Sequence, residues 1–331
     1  METAETEPWK EDFVRLIEQS TLGKNLAERA YALKDAHLPP RIFRYRRDTD
    51  FSRNDLQNET LWLCSPDDYN DPFDCMTRIS PNRVEAALVR GLIRRFFMIQ
   101  FWLTELDPLP SRFEPLIGES SESYIRRVVA SYRDFVPGPP PVFDSALPRL
   151  TADLPHFAGE AKQKATMFRR LTKACSFTER NDSILMWSHY AENHQGFCVE
   201  YDLSTIPEGH TFRRTLHPVI YSDMLYDSTP LVEKWIEGPQ GTFNPFFPLL
   251  SFIHKAKEWS YEREWRLLFV SPEPEPNHAW SAPTPSRVFV GARMGELAKE
   301  RIKMFVTQKP IEIHQMRMSD DSFVLRSERV Y

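Results

Sequence analysis

SILMWSHYAENHQGFCVEYD, residues 183–202, changes its period halfway along. Over Ser183 to Asn193 the spacing predicts a helix, with Met186, His189, Tyr190 and Asn193 on one side, Trp187 on an adjoining one and Asp182 placed to cap the first turn. Gly196 then permits a sharp turn, and FCVEYD alternates as a half-buried strand does. A helix that passes into a strand within so short a segment places the chain among folds that mix the two.

Outward from this segment the signals are mostly those of strands. ACSFT, HPVIY, EWRLLFV, SRVFVG and IEIHQM are short, rich in β-branched or aromatic residues and bounded by turn formers. Earlier in the chain, RIFRYRR (Arg41–Arg47) alternates, with Ile42, Arg44 and Arg46 on one side and Phe43 and Tyr45 on the other. TLWLCS (Thr60–Ser65) is strand-like too, with one short polar connection expected between the two. From Pro81 to about Asp107 apolar residues such as Val84, Leu88, Leu92 and Phe96 keep helical spacing until Pro108 and Pro110. Tyr124–Phe135 and Ala161–Lys173 also read as helix, separated by VPGPPPVF, a stiff extended link. SPEPEPNHAWSAPTPS (Ser271–Ser286) reads as a surface loop between two strands. The first forty residues are helix-like, with Trp9, Phe13, Leu16 and Ile17 spaced by three and four, and LPP at Leu38–Pro40 ends them. The expectation is an α+β fold: a mixed, mainly antiparallel sheet, whole or split in two. Residues 1–40 form an N-terminal helical cap and 41–331 a single domain, in which 81–174 are a mostly helical insertion.

A chain of 331 residues can bury a sizeable core without disulfides or metals. Its net charge of -5 argues against broad capture of nucleic acid or anionic lipid. Cys64, Cys75, Cys175 and Cys198 are scattered and no apolar leader precedes them, so reduced thiols in a cytoplasmic protein are expected. The longest apolar run, Phe96–Leu103, is too short to span a bilayer, and no membrane partner is expected.

Three constellations carry chemistry. In the opening segment His189 and His194 are five apart, a spacing that suits paired metal ligands on a helix poorly, and Cys175 and Cys198 sit in apolar strand contexts where an inert thiol is the usual state. A pocket wall of Trp187, His189 and Tyr190 fits the pattern better, against the plainer reading that the rings pack beneath the sheet. In EWSYEREWRLLFV (Glu258–Val270), a strand would put Glu262, Glu264 and Arg266 on one face and Trp265, Leu267 and Phe269 on the other. That row is either a site or a solvated face whose charges neutralise one another. SPDDYNDPFD (Ser65–Asp74) has turn chemistry and lacks the order of an EF-hand loop, so a structured turn is expected in preference to calcium.

FRYR, YNDPFD, SFTER with SILMWSHYAENHQGFCVEYD, WSYEREWRLLF and VFVGARM, in that order, resemble a family of bacterial domains of unknown function over about residues 40–330, apart from the helical insertion. Arg44, the Ser176-x-Thr178 pair and Glu262-x-Glu264 also resemble, in chain order, the Arg, Ser-x-Thr/Ser and Glu-x-Glu series of the mono-ADP-ribosyltransferases. That resemblance implies NAD as substrate, no metal, and ADP-ribosyl transfer to a protein or nucleic-acid acceptor, or NAD glycohydrolysis, in a toxin, effector or phage-defence setting. A toxin or effector would be delivered from the bacterial cytoplasm to a target cell. It further implies Glu264 as the carboxylate stabilising the oxocarbenium ion and Glu262 as the base for the acceptor. Arg44 would hold the diphosphate and Ser176 would orient the glutamate, while Tyr45, Thr178, Trp187, His189, Tyr190 and Arg266 would complete the binding site. Two other classes stay open: a non-enzymatic sensor of a small ligand or nucleotide, and a magnesium-dependent nuclease using Asp71, Asp74, Glu262 and Glu264.

Overall fold

The computed structural model describes residues 7–21, 25–100, 113, 116, 119–133, 169–238 and 243–331. Fourteen strands are found among them: β1 Arg41–Arg46, β2 Thr60–Leu63, β3 Thr77–Arg78, β4 Thr172–Thr178, β5 Phe197–Asp202, β6 Leu216–Pro218 and β7 Ile220–Ser222, followed by β8 Tyr226–Asp227, β9 His254–Ala256, β10 Glu264–Val270, β11 His278–Ser281, β12 Arg287–Val290, β13 Glu312–Met318 and β14 Leu325–Arg329. Eight of them form one sheet in the order β14-β13-β12-β5-β1-β4-β10-β6. Only β12 and β13 pair in parallel within it, so the fold is α+β with a mixed, mainly antiparallel sheet.

The register divides the sheet into two faces. Phe43 pairs with Thr178 and Thr178 with Glu264, so these share a face with Ser176 and Arg266 two residues along. Arg44, one residue on from Phe43, pairs with Val199 on the other face. That other face carries Ile42, Phe177, Val199, Trp265, Leu267 and Val288, packed with Leu56, Phe212 and Ile302 into one large apolar cluster. On the first face two clusters flank the middle strands. One is built from Phe43, Tyr45, Trp187, Cys198 and Phe289, the other from Phe13, Ile17, Leu250, Phe252 and Leu268. The polar residues of β4 and β10 lie in the seam between them.

β1 and β4 are neighbours at one residue pair alone, Phe43↔Thr178. Farther along, the same edge of β4 meets Cys64, which bridges to Ala174. The two strands therefore part like a fork.

Several elements depart from the expected pattern. Between β1 and β2 lies a helix, Asp50–Asn58, opened by a reciprocal Thr49–Ser52 capping box. The N-terminal segment forms two helices, Pro8–Glu18 and Ala27–Ala36. HPVIY is divided between two sheets: β6 pairs with β10, Val219 still bonds through its amide to the Glu264 carbonyl, and β7 pairs with β9. The proline-rich loop contains β11, paired with β2. Helices run over Pro81–Gln100 and Ser121–Arg133; of the segments expected to be helix or link, 101–107, 134–135, the proline link and 161–168 lie outside the described residues. Thr172 and Lys173, read as the end of a helix, begin β4. No helix among the described residues is long and apolar enough to cross a membrane.

The 183–202 segment is a helix over Ile184–Tyr190 capped by Ser183, whose hydroxyl accepts from the Met186 amide; Asp182 instead pairs with Arg180. The helix ends because Glu192, Asn193 and His194 take left-handed conformations (φ 50, 53 and 69) and turn the chain into β5. Gly196 and Gly291 make this turn possible. A Cβ on Gly196 would sit 2.1 Å from the Arg46 carbonyl oxygen, and one on Gly291 would sit 2.2 Å from that of His194. We expect Gly196→Ala to destabilise the protein by about 2 kcal/mol or more, because main-chain atoms cannot step aside. Gly295→Ala, where nothing lies within 4 Å, should cost far less. Chemical denaturation compares the two, and equal midpoints would contradict the packing account.

Candidate functional site

At the fork lies a cavity of about 230 Å³. β1 contributes Phe43, Arg44 and Tyr45, β4 contributes Ser176 and Thr178, and the loop after β2 contributes Cys64, Tyr69, Asn70 and Asp74. Met186 and Tyr190 close one side, and Lys255, Glu262 and Glu264 close another.

The carboxylates reach it from two different elements. Glu264 opens β10, whereas Glu262 ends the 3-10 helix Lys257–Glu262 and was expected one step along the strand. Between them Arg263 adopts φ 44, a left-handed kink that keeps both side chains on the cavity. The Thr178 hydroxyl fixes this corner by donating to the Glu262 carbonyl and accepting from the Arg180 amide.

Behind Glu264 stands Arg266, fully buried. All five of its N–H groups have acceptors. Nε and Nη2 donate to the two oxygens of Glu264 at 2.7 and 2.9 Å, and Nη2 also donates to Asp74 at 2.8 Å. Nη1 donates to the Phe252 carbonyl and to Cys75 Sγ. Lys255 Nζ adds bonds to Glu264 Oε2 at 2.9 Å and Glu262 Oε2 at 2.6 Å, while Tyr190 Oη donates to Glu262 Oε1 at 2.6 Å.

These contacts drive the two carboxylates apart in proton affinity. Burial alone raises that of Glu264, but Arg266, Lys255 and the hydrogen bond from Ser176 outweigh it and hold the group well below the usual carboxylate range. In Glu262 burial and the neighbouring Glu264 charge prevail over Lys255 and Tyr190, and its pKa is raised. Lys255 is desolvated as well, yet its carboxylate partners raise its pKa overall.

Of the residues expected at the site, Arg44, Tyr45, Ser176, Thr178, Tyr190, Glu262 and Glu264 line the cavity. Arg44 enters from the opposite sheet face and reaches it only because β1 and β4 diverge; one guanidinium nitrogen, Nη2, donates to the Trp62 carbonyl at 3.4 Å, and the other, Nη1, is buried without a partner. Arg266 supports the wall from behind. Two expectations are corrected. Trp187 is wholly buried in the core, its Nε1 donating to the Asn181 carbonyl and its ring edge-on to Tyr45. His189 is exposed, since it stands about 100° around the helix from Tyr190. For the magnesium reading, Asp71 is absent from the cavity wall and accepts from Trp259 Nε1; among the described residues no group of three His, Cys, Asp or Glu is arranged to hold a metal ion.

Lys255 was not singled out in the sequence, because nothing distinguishes it from Lys257 two residues on. Asp74 and Tyr69 sat within a segment read mainly as a turn.

The profile of a family described as "Protein of unknown function (DUF2971)" matches residues 186–267. The span includes Tyr190, Lys255, Glu262, Glu264 and Arg266, so this stretch is similar to a domain of unknown function. No curated protein and no solved structure matches the chain.

Removing Glu264 leaves a fully buried guanidinium short of its main partner, and we expect Glu264→Gln to cost about 3–5 kcal/mol. Glu262→Gln also loses a Lys255 bond but removes a carboxylate that resists ionising, so about 1–2 kcal/mol is expected. The depressed pKa of Glu264 contributes stability that is present above 4.5 and lost as pH falls through its lowered folded value. The gap between wild type and Glu264→Gln should therefore close in acid. Urea titrations at neutral and acid pH check both the order and the trend.

Proposed function

We propose that the cavity cleaves the bond between a ribose and a cationic base, with NAD as substrate and either water or an acceptor group receiving the ADP-ribosyl unit. The observation that carries this reading is the carboxylate pair, two acids in one cavity whose surroundings separate their proton affinities, as acid–base sites require. The cavity is smaller than the roughly 300–1,000 Å³ of most small-molecule pockets. One ring and its ribose fill it, and the rest of a dinucleotide lies outside.

Roles follow from access. Glu262 is the carboxylate available to substrate; ionised, it stabilises the oxocarbenium ion and then takes the proton of the incoming water or acceptor. Glu264 accepts twice from Arg266 and once each from Lys255 and Ser176, whereas each oxygen of Glu262 accepts a single bond, so Glu264 is a positioning residue that holds Lys255 and, through it, Glu262. Nicotinamide leaves neutral with the bonding electron pair, water supplies the hydroxyl of ADP-ribose, and the proton passes to Glu262. Arg44 Nη1 supplies an unused donor for an oxyanion of the substrate. The aromatic side chains Phe43, Tyr45 and Tyr190 frame the ring.

A binding module without turnover is the second reading, favoured by one feature: Glu264 is already neutralised by its own protein. Incubation with labelled NAD, following nicotinamide release and label transfer together, separates the two. We expect release by the wild type and a loss of about 10²-fold or more in Glu262→Gln, with a smaller loss in Tyr190→Phe. Because Glu262 works ionised and its pKa is raised, kcat/KM should climb with pH through a midpoint above the ordinary glutamate range. Tight NAD binding with no nicotinamide released, with or without candidate acceptors, would favour the binding module.

A further inference from the structure

Five charged side chains form one ion-paired cluster in the wall of the cavity and the layer behind it: Asp74, Glu262, Glu264, Lys255 and Arg266, all buried or nearly so. Fully ionised, they hold one negative charge in excess. No further side-chain cation lies within ion-pair distance of the three carboxylates among the described residues. Arg44 faces the cavity from the other side of the sheet, Arg263 turns outward to Glu179, and Lys257 reaches toward Asp223. The tyrosines nearby, Tyr69, Tyr190, Tyr221 and Tyr261, are all made harder to ionise by burial, as are Cys64 and Cys75.

Arg44 makes no ion pair with the cluster, whose excess charge therefore has no direct partner, and such a charge in a low-dielectric wall is costly. It can be neutralised by a proton held on the cluster or by a positive group brought into the cavity. A second observation points to a ligand. The Tyr69 hydroxyl oxygen and Arg44 Nη1, both on residues of the wall, are buried and have no partner, and buried donors left unsatisfied call for an acceptor.

Resting on the reading of this cavity as the ligand site, we infer that it selects a flat cation bearing a hydrogen-bond acceptor, and that the cation displaces a proton from Glu262 to solvent. The aromatic residues Phe43, Tyr45 and Tyr190 line the cavity, and aromatic side chains attract such a group. Tyr190 suits both states: its hydroxyl donates to ionised Glu262 and its oxygen accepts from the protonated acid. The exchange conserves charge within the cavity, one proton leaving for each cation bound.

The test is calorimetric titration of the full chain with 1-methylnicotinamide, a cation, and with nicotinamide, its neutral counterpart, in two buffers of different ionisation enthalpy across a range of pH. The cation should bind about tenfold tighter or better. Its heat should depend on the buffer in the sense of proton release, approaching one proton at the acid end and vanishing as Glu262 ionises by itself. The preference should disappear in Glu262→Gln; the proton count needs no variant, so a misfolded mutant leaves the test intact. Equal affinities, no binding of either probe, or a heat independent of buffer at every pH would overturn the inference. Nicotinamide release from NAD without cation preference defeats this inference alone, and cation-linked proton release without NAD cleavage defeats the transferase reading alone.

Discussion

A guanidinium removed from water must find an acceptor for every N–H, and Arg266 does so with Glu264, Asp74, Cys75 and the Phe252 carbonyl. That requirement draws together the head of β10, the turn after β2 and the end of the Phe247–Phe252 helix. Tyr69 covers the assembly, its ring 5.6 Å from the guanidinium carbon. The seam between the two apolar clusters of this face is thus closed by charge pairing, with the cavity as the part left open.

Fixing Arg266 also fixes what Glu264 can do. A carboxylate committed to a guanidinium fork has little left for a ligand, and Lys255 bridges it to Glu262. The electrostatics of the cavity are therefore set one layer behind its surface, by a residue that is absent from the cavity wall. Two glutamates separated by a single residue end with different proton affinities because only Glu264 meets the Arg266 guanidinium.

How much of this was legible in the sequence depends on the range of each interaction. Composition in EWRLLFV and FCVEYD marked the strands, but the half-buried alternation expected of FCVEYD is not found: nearly every side chain of both strands is buried, because the sheet is covered on both faces. Arg263 is a non-glycine residue in a left-handed conformation, so nothing in its identity announced that Glu262 would leave the strand. The aromatic content of the 184–190 helix was visible, but whether Trp187 faced a pocket or the core depended on Tyr45 and β5 packing beneath it. Arg44 was found by its place in a motif, while its arrival from the far face of the sheet depends on where β1 and β4 part. Lys255 carries no local signal, since its importance comes wholly from partners seven and nine residues away that fold back upon it.

The fork between β1 and β4 has one more effect. Ala174 exchanges both its main-chain bonds with Cys64 across the open edge of β4, and in an antiparallel strand alternate residues turn their main-chain groups to the same edge. Ser176 therefore presents its amide and carbonyl to the gap, where no strand pairs with it on that side. A ligand that meets those groups is recognised by the backbone itself. Such recognition does not depend on the side chain at position 176, whose hydroxyl is given to Glu264.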